Sequence, residues 1–194
     1  MIGIIDYGAG NLQSVINTLD EIGVQYQLGF ENATKIILPG VGHFGQMMRT
    51  LDERGLRGPI VERIRAGVPF LGICLGLHAL FTDSEEAPDV RGFGLFEGRI
   101  RRFPAEARVP HMGWNDLQRR RDSRLLAGLP EQPYVYFAHS YYAPEVSATT
   151  AACNYGVPYT AVLEHENVFG VQFHPEKSAA FGQRIVKNFA ELSC

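Results

Sequence analysis

Cysteine is scarce in this 194-residue chain: Cys74, Cys153 and Cys194 are odd in number, far apart and never in a CxxC pair. That spacing argues against a disulfide scaffold or a thiolate zinc site, and it suits a reducing, cytoplasmic compartment. No apolar stretch approaches the roughly 20 residues needed to span a bilayer. The strand-like run from Ile2 to Ile5 has none of the anatomy of a signal peptide, so no membrane is expected. Charge of one sign is also missing: 18 Lys and Arg face 21 Asp and Glu, a formal net charge of −3. Nothing there suggests nucleic acid or an anionic surface as partner. The only basic run, Arg119 to Arg121, reads as a solvated turn. Gly8-Ala9-Gly10 does not complete a GxGxxG pattern, and no dinucleotide site is expected. No internal repeat, low-complexity tract or linker divides the chain, so residues 1–194 are read as one domain.

What is present alternates in texture. Met1 to Tyr7 is a short apolar run ending in a glycine turn, and Leu12, Val15, Ile16, Leu19 and Ile22 then recur at helical spacing. Ile36 to Leu38 is the next apolar run, polar-interleaved helical patterns follow through Arg65, and Phe70 to Cys74 reads as a buried strand before Leu75 opens a helix. Strands alternating with helices predict parallel pairing with helices on both faces of the sheet. After Ala87 shorter alternating segments take over: Leu95 to Phe103, Trp114 to Leu117, Tyr134 to His139, Thr149 to Cys153 and Val168 to Phe173. This half is expected to be strand-rich with antiparallel pairing, closed by a helix from Ser178 to Leu192. The fold class is α/β, with a mixed, mainly parallel central sheet.

Three segments carry chemistry. Gly72-Ile73-Cys74-Leu75-Gly76 places a nucleophile between glycines after a strand and before a helix, the pattern of a nucleophile elbow. The helix N-terminus would favour thiolate over thiol at Cys74; a buried structural cysteine is the other reading. Phe173-His174-Pro175-Glu176 offers His174 as general base and Glu176 as its orienting carboxylate. Strand alternation would put those two side chains on the same side. Leu38-Pro39-Gly40-Val41-Gly42 is a glycine-rich loop whose peptides could present N–H groups to an oxyanion, with Leu75 N–H as the second donor.

Together these resemble the class I, triad-type glutamine amidotransferases, almost from end to end and in the order Cys, His, Glu. Asp6-Tyr7-Gly8-Ala9-Gly10-Asn11-Leu12, Pro110-His111-Met112-Gly113-Trp114-Asn115 and Phe173-His174-Pro175-Glu176-Lys177-Ser178 narrow the resemblance to the glutaminase subunits of imidazole glycerol phosphate synthases. The resemblance implies glutamine hydrolysis through a γ-glutamyl thioester on Cys74, with an oxyanion hole at Val41, Gly42 and Leu75 and no metal or organic cofactor. Ammonia would pass to a (β/α)8-barrel cyclase subunit in a heterodimer, giving imidazole glycerol phosphate and aminoimidazole carboxamide ribotide. By the same similarity Asn11, Met112, Trp114, Tyr136 and Lys177 lie at the contact surface. Gly40, His78 and the segment His139-Ser140-Tyr141 hold glutamine, the last largely through backbone groups. The family usually has glutamine four residues after the nucleophile where this chain has His78; an imidazole makes fewer hydrogen bonds than a carboxamide. An amidotransferase feeding another synthase and a catalytically silent regulatory partner are the alternatives; Met112-Gly113-Trp114 argues against the first and the intact Cys74, His174 and Glu176 against the second.

Overall fold

A computed structural model describes residues 1–8 and 11–193. Ala9 and Gly10 of the expected first turn, and Cys194, lie outside the described residues. The first half runs β1 (Ile2–Ile4), α1 (Leu12–Glu21), β2 (Tyr26–Leu28), β3 (Lys35–Leu38), α2 (Phe44–Glu53), α3 (Arg57–Arg65), β4 (Phe70–Ile73) and the four-residue α4 (Leu75–His78). The second half contributes β5 (Phe81–Ser84), β6 (Phe96–Arg102), β7 (His111–Asp116), β8 (Gln118–Arg119), β9 (Tyr134–His139) and β10 (Tyr141–Tyr142). It finishes with β11 (Thr149–Asn154), β12 (Pro158–His165), β13 (Val168–Val171), a 3₁₀ turn at Pro175–Lys177 and α5 (Ala179–Ala190).

An eight-stranded sheet in the order β2-β1-β3-β4-β13-β12-β11-β8 organises the chain. Its pairings from β2 across to β13 are parallel, and those from β13 to β8 are antiparallel. Alternation along the strands sends side chains into two cores. Ile37, Leu71 and Phe169 meet Val15 and Leu19 of α1 and Ile185, Val186 and Phe189 of α5 on one face. Ile36, Leu38 and Phe70 meet Phe44, Met48 and Leu51 of α2 and Ile60 and Ile64 of α3 on the other. Helices therefore cover both faces, as the βα alternation implied. α1 ends where Gly23, at φ 70°, lets Val24 N–H reach back to the Leu19 carbonyl at 2.9 Å. Two small sheets, β10-β6-β5 and β7-β9, flank the large one.

Two expectations need correcting. The longest strand, β12, is missing from the sequence reading because Tyr159 to Leu163 are buried on both faces and show no polar–apolar alternation. The Arg119–Arg121 run is a solvated bend at Arg120 and Arg121, as expected, but Arg119 lies in β8 and all three side chains also act as braces. Arg119 donates to the carbonyls of Leu126 and Leu129 at 3.0 Å each, Arg120 grips Glu145 with two bonds of 2.8 and 3.2 Å, and Arg121 donates to the Glu164 carbonyl at 2.9 Å. Trp114, which residue type alone would allow as a core aromatic, is 51% exposed.

Candidate active site

The carboxyl ends of the parallel strands converge on Cys74, where α/β sheets hold ligands. Leu38 of β3 lies opposite Gly72 of β4, and Ile73 opposite Val171 of β13. Cys74 N–H continues that ladder to the Val171 carbonyl at 2.7 Å. The residue then turns sharply, with φ 52° and ψ −104°, a conformation that non-glycine residues adopt only under strain. The flanking glycines have steric reasons. A Cβ on Gly72 would overlap the Gly76 carbonyl, and one on Gly76 would overlap the Leu38 carbonyl oxygen of the neighbouring strand. Gly76→Ala is accordingly expected to cost about 3 kcal/mol, a fall of roughly 6–12 °C in melting temperature. Gly58→Ala, where a Cβ meets nothing within 4 Å, serves as the control and should be neutral or stabilising; equal melting of the two variants would contradict the packing argument.

His174 leaves β13 with its backbone pinned to β9. Its N–H donates to the Tyr136 carbonyl at 2.9 Å, and its carbonyl accepts from Ser178 Oγ at 2.7 Å. The imidazole Nδ1 donates to Glu176 Oε1 at 2.8 Å, both side chains being almost wholly buried. Glu176 is not on an extended strand, so alternation is not what aligns the pair. It sits in the 3₁₀ turn after Pro175, which folds the carboxylate back under the ring. Asn11 Nδ2 donates to the same oxygen at 3.4 Å. Burial pulls the His174 pKa down, but the Cys74 sulfur on the ring's other side and the Glu176 carboxylate outweigh it and raise it to about 10. The neighbouring sulfur and carboxylate thus favour an imidazolium at His174 in spite of its burial.

A cavity of about 200 Å³ opens over the sulfur, lined among others by Val41, Gly42, Cys74, Leu75, His78 and Glu86. That is below the roughly 300–1,000 Å³ of drug-sized pockets and suits one small polar molecule. His139, Ser140 and Tyr141 line its far wall and Met112 its rim. The His139 ring is engaged elsewhere, Nδ1 donating to the Tyr141 carbonyl at 2.8 Å, so only backbone and the two following residues are left to face a ligand. Gly40 does not line the cavity; its carbonyl accepts Leu75 N–H at 3.3 Å, so that donor is engaged. Trp114, Tyr136 and Lys177 form one cluster beside the triad. The Trp114 and Tyr136 rings lie 6.0 Å apart edge to face, and Lys177 Nζ is 5.9 Å from the Tyr136 ring centroid. Cys153 is the contrasting thiol, wholly buried in β11 with its pKa pushed up to about 12 by burial.

Two residues escaped sequence reasoning. Gln172 Oε1 accepts His78 Nε2–H at 2.8 Å, and its Nε2 donates to Cys74 Sγ at 3.7 Å. His78 is therefore the Nε2–H tautomer, with Nδ1 left as a buried acceptor without a partner among the described residues. Glu86 brings a carboxylate into the cavity and accepts the Phe44 N–H at the start of α2 at 2.7 Å. The only sequence signal for Gln172 is its position two residues before His174; Glu86 has none.

Residues 3–192 match the family described as glutamine amidotransferase class-I. The chain belongs to that family. The imidazole glycerol phosphate synthase subunit HisH of Desulfitobacterium hafniense is 45% identical over 98% of this chain and 94% of its own length. The subunit of the same name from Methanothermobacter thermautotrophicus is 46% identical over 99% and 98%. Among solved structures, a glutamine amidotransferase superposes with a TM-score of 0.77 at 19% identity, covering 98% of this chain and 97% of the other. The structure of PurLQS from Thermotoga maritima gives 0.75 at 17% identity, covering 97% and 96%. These two likenesses concern the fold alone.

Buried histidines give this amidotransferase an acid-sensitive core. Burial lowers the pKa of His78 and of His111 to about 4, and that of His139 well below its ordinary value. As pH falls below about 6.5, the unfolded chain takes up protons that the folded chain refuses, so stability falls with pH. Each such histidine contributes a slope approaching ~1.4 kcal/mol per pH unit until its folded pKa is reached. His174 has the opposite sign: its contribution is complete below about 6.5 and is lost as pH rises through about 10. Urea unfolding between pH 7 and 4.5 should therefore show His78→Gln losing about one proton's worth of the wild-type slope. Identical slopes would contradict a neutral His78.

Proposed function

We propose that the chain is the glutaminase subunit of imidazole glycerol phosphate synthase, acting in histidine biosynthesis as one amidotransferase domain in the cytoplasm. The observation that carries the reading is the strained Cys74 turn beside the buried His174–Glu176 pair, in a chain about 45% identical to HisH relatives over nearly its whole length. Glutamine enters the cavity with its carboxamide over Cys74. Glu86, the carboxylate in the lining, is suited to its α-ammonium. The thiolate attacks the carboxamide carbon, and His174 gives its proton to the departing ammonia. A water then attacks the thioester carbon, His174 removes its proton, and glutamate leaves as the C–S bond breaks and the thiolate–imidazolium pair is restored.

The ammonia passes to a partner, which we infer to be a (β/α)8-barrel cyclase docking on the face bearing Asn11, Met112, Trp114, Tyr136 and Lys177. Met112 and Trp114 are 64% and 51% exposed, apolar surface that suits a protein contact. The engaged Leu75 N–H suggests that the Gly40–Val41 peptide must turn before both oxyanion donors are available. Docking of the cyclase with its ribotide bound would favour that turn and couple glutamine hydrolysis to acceptor occupancy. Glutamate release should be slow for the isolated chain and rise by about 10²–10³ with cyclase and ligand, the worth of one oxyanion donor. Lys177→Ala or Trp114→Ala should blunt the rise without altering alkylation of Cys74. Equal rates for chain, complex and liganded complex would rule out the coupling.

A further inference from the structure

We propose that Tyr7 is a positioning residue for the oxyanion hole, its buried hydroxyl serving the Gly40–Val41 peptide in the orientation that supports catalysis. The inference rests on the glutaminase reading above.

β1 and β3 run in parallel with Ile4 opposite Ile37, and Ile5 N–H continues the ladder to the Ile37 carbonyl at 3.0 Å. The same offset brings Tyr7 level with Gly40, just as the β3–β4 offset brings Gly40 level with Cys74. The three residues thus stand side by side at the carboxyl ends of adjacent strands. Tyr7 is 2% exposed, and among the described residues its hydroxyl closes no hydrogen bond of full geometry, although the Val41 N–H approaches its oxygen. Its polar surroundings include the Val41 backbone N–H and the Cys74 sulfur. A buried hydroxyl left without a partner costs on the order of 1–3 kcal/mol, so one at this position calls for a reason.

The other end of the same peptide unit supplies it. The Gly40 carbonyl accepts the Leu75 N–H at 3.3 Å, and in a trans peptide the C=O and N–H point in opposite directions. In the observed orientation the carbonyl faces the nucleophile's helix and the N–H faces Tyr7, without closing a hydrogen bond to it. Turning the peptide through about half a revolution would put Val41 N–H next to Leu75 N–H, both aimed at a developing oxyanion. The Gly40 carbonyl would then face Tyr7. A phenol both accepts and donates, so its hydroxyl can give that carbonyl a full hydrogen bond in a place where water does not reach. Burial pushes the Tyr7 pKa up to about 12, so the donor proton is retained through the neutral range. Because the turned orientation closes a full hydrogen bond where the observed one offers only the weaker approach of the Val41 N–H, the hydroxyl favours the turned one. Gly40 allows the movement: even a Cβ there would press on Leu75 Cβ at 2.7 Å.

Tyr7→Phe removes one oxygen and leaves the ring. In the complex with cyclase and its ribotide, this variant should lose about tenfold in kcat for glutamine hydrolysis, with KM for glutamine little changed. A glutamate γ-semialdehyde, whose thiohemiacetal on Cys74 mimics the oxyanion, should bind more weakly by a similar factor. Ammonia-dependent synthesis and the alkylation rate of Cys74 should match wild type, and the melting temperature should be unchanged or a few degrees higher, since the unpartnered hydroxyl is gone. Tyr7→Leu, which also empties ring volume, should show the same kinetic loss together with a lower melting temperature. Wild-type kcat and aldehyde affinity in Tyr7→Phe would overturn the inference while leaving the glutaminase reading intact. A wild-type complex that releases no glutamate would overturn that reading, and the inference with it.

Discussion

Cys74→Ser should abolish glutamine-dependent synthesis by the complex, a loss of at least about 10⁴-fold, while ammonia-dependent synthesis stays near wild type. Serine keeps the shape of the elbow, and the turn's strain belongs to the backbone rather than to sulfur. What disappears is the thiolate, which a hydroxyl cannot replace next to an imidazolium: loss of a nucleophile typically costs on the order of 10⁴–10⁶ in turnover. The second substrate survives because exogenous ammonia bypasses the Cys74 cavity altogether. Cys153→Ser, a change 0% exposed in β11 and away from the cavity lining, is the comparison, and its glutaminase turnover per folded chain should be ordinary. A folded Cys74→Ser variant that lost both activities at saturating ammonia would contradict the division of labour between subunits.

His174→Ala is expected to lower glutaminase kcat by about 10⁴, the upper end of general acid–base effects. The ring gives the departing ammonia its proton and takes one from the attacking water, so two steps fail together. Glu176→Gln should be milder, by about 10². The carboxamide preserves the buried shape but loses the charge that steadies the imidazolium through the 2.8 Å contact. Asn11 already donates to the same carboxylate oxygen at 3.4 Å, so part of the positioning survives. Stopped-flow alkylation separates the roles: His174→Ala should slow capture of Cys74 at pH 7 and recover at alkaline pH, because the thiol must then ionise unaided. Ordinary turnover in His174→Ala would remove the triad from the mechanism.

Much of this site is legible in the sequence because its constraints are local. Cys74 needs its glycines for reasons that act within two residues and across one strand contact: Gly72 faces Gly76, and Gly76 faces Leu38. The β–α alternation of the first half likewise follows from short-range periodicity, and the sheet order places Cys74 between β3 and β13 as such a layout requires. The 2.8 Å contact between His174 and Glu176 comes from a 3₁₀ turn and not from the strand alternation that the sequence suggests. The remaining features depend on register between distant segments. Gln172 reaches the sulfur only because β13 lies against β4, and Glu86 reaches the cavity only because the end of β5 packs against the start of α2. The engaged Leu75 N–H depends on one peptide's rotation, which residue types leave open. β12 was missed because a strand buried on both faces has no alternation to read.

The most direct test of the central claim is covalent capture. The complex, incubated with the glutamine-derived alkylating agent 6-diazo-5-oxo-L-norleucine and its cyclase ligand, should take up one label per chain. Peptide mass spectrometry should place that label on Cys74, and glutamate release should fall in step with labelling. Full turnover by stoichiometrically labelled protein, or a label on Cys153 accompanying the loss of activity, would contradict Cys74 as the nucleophile.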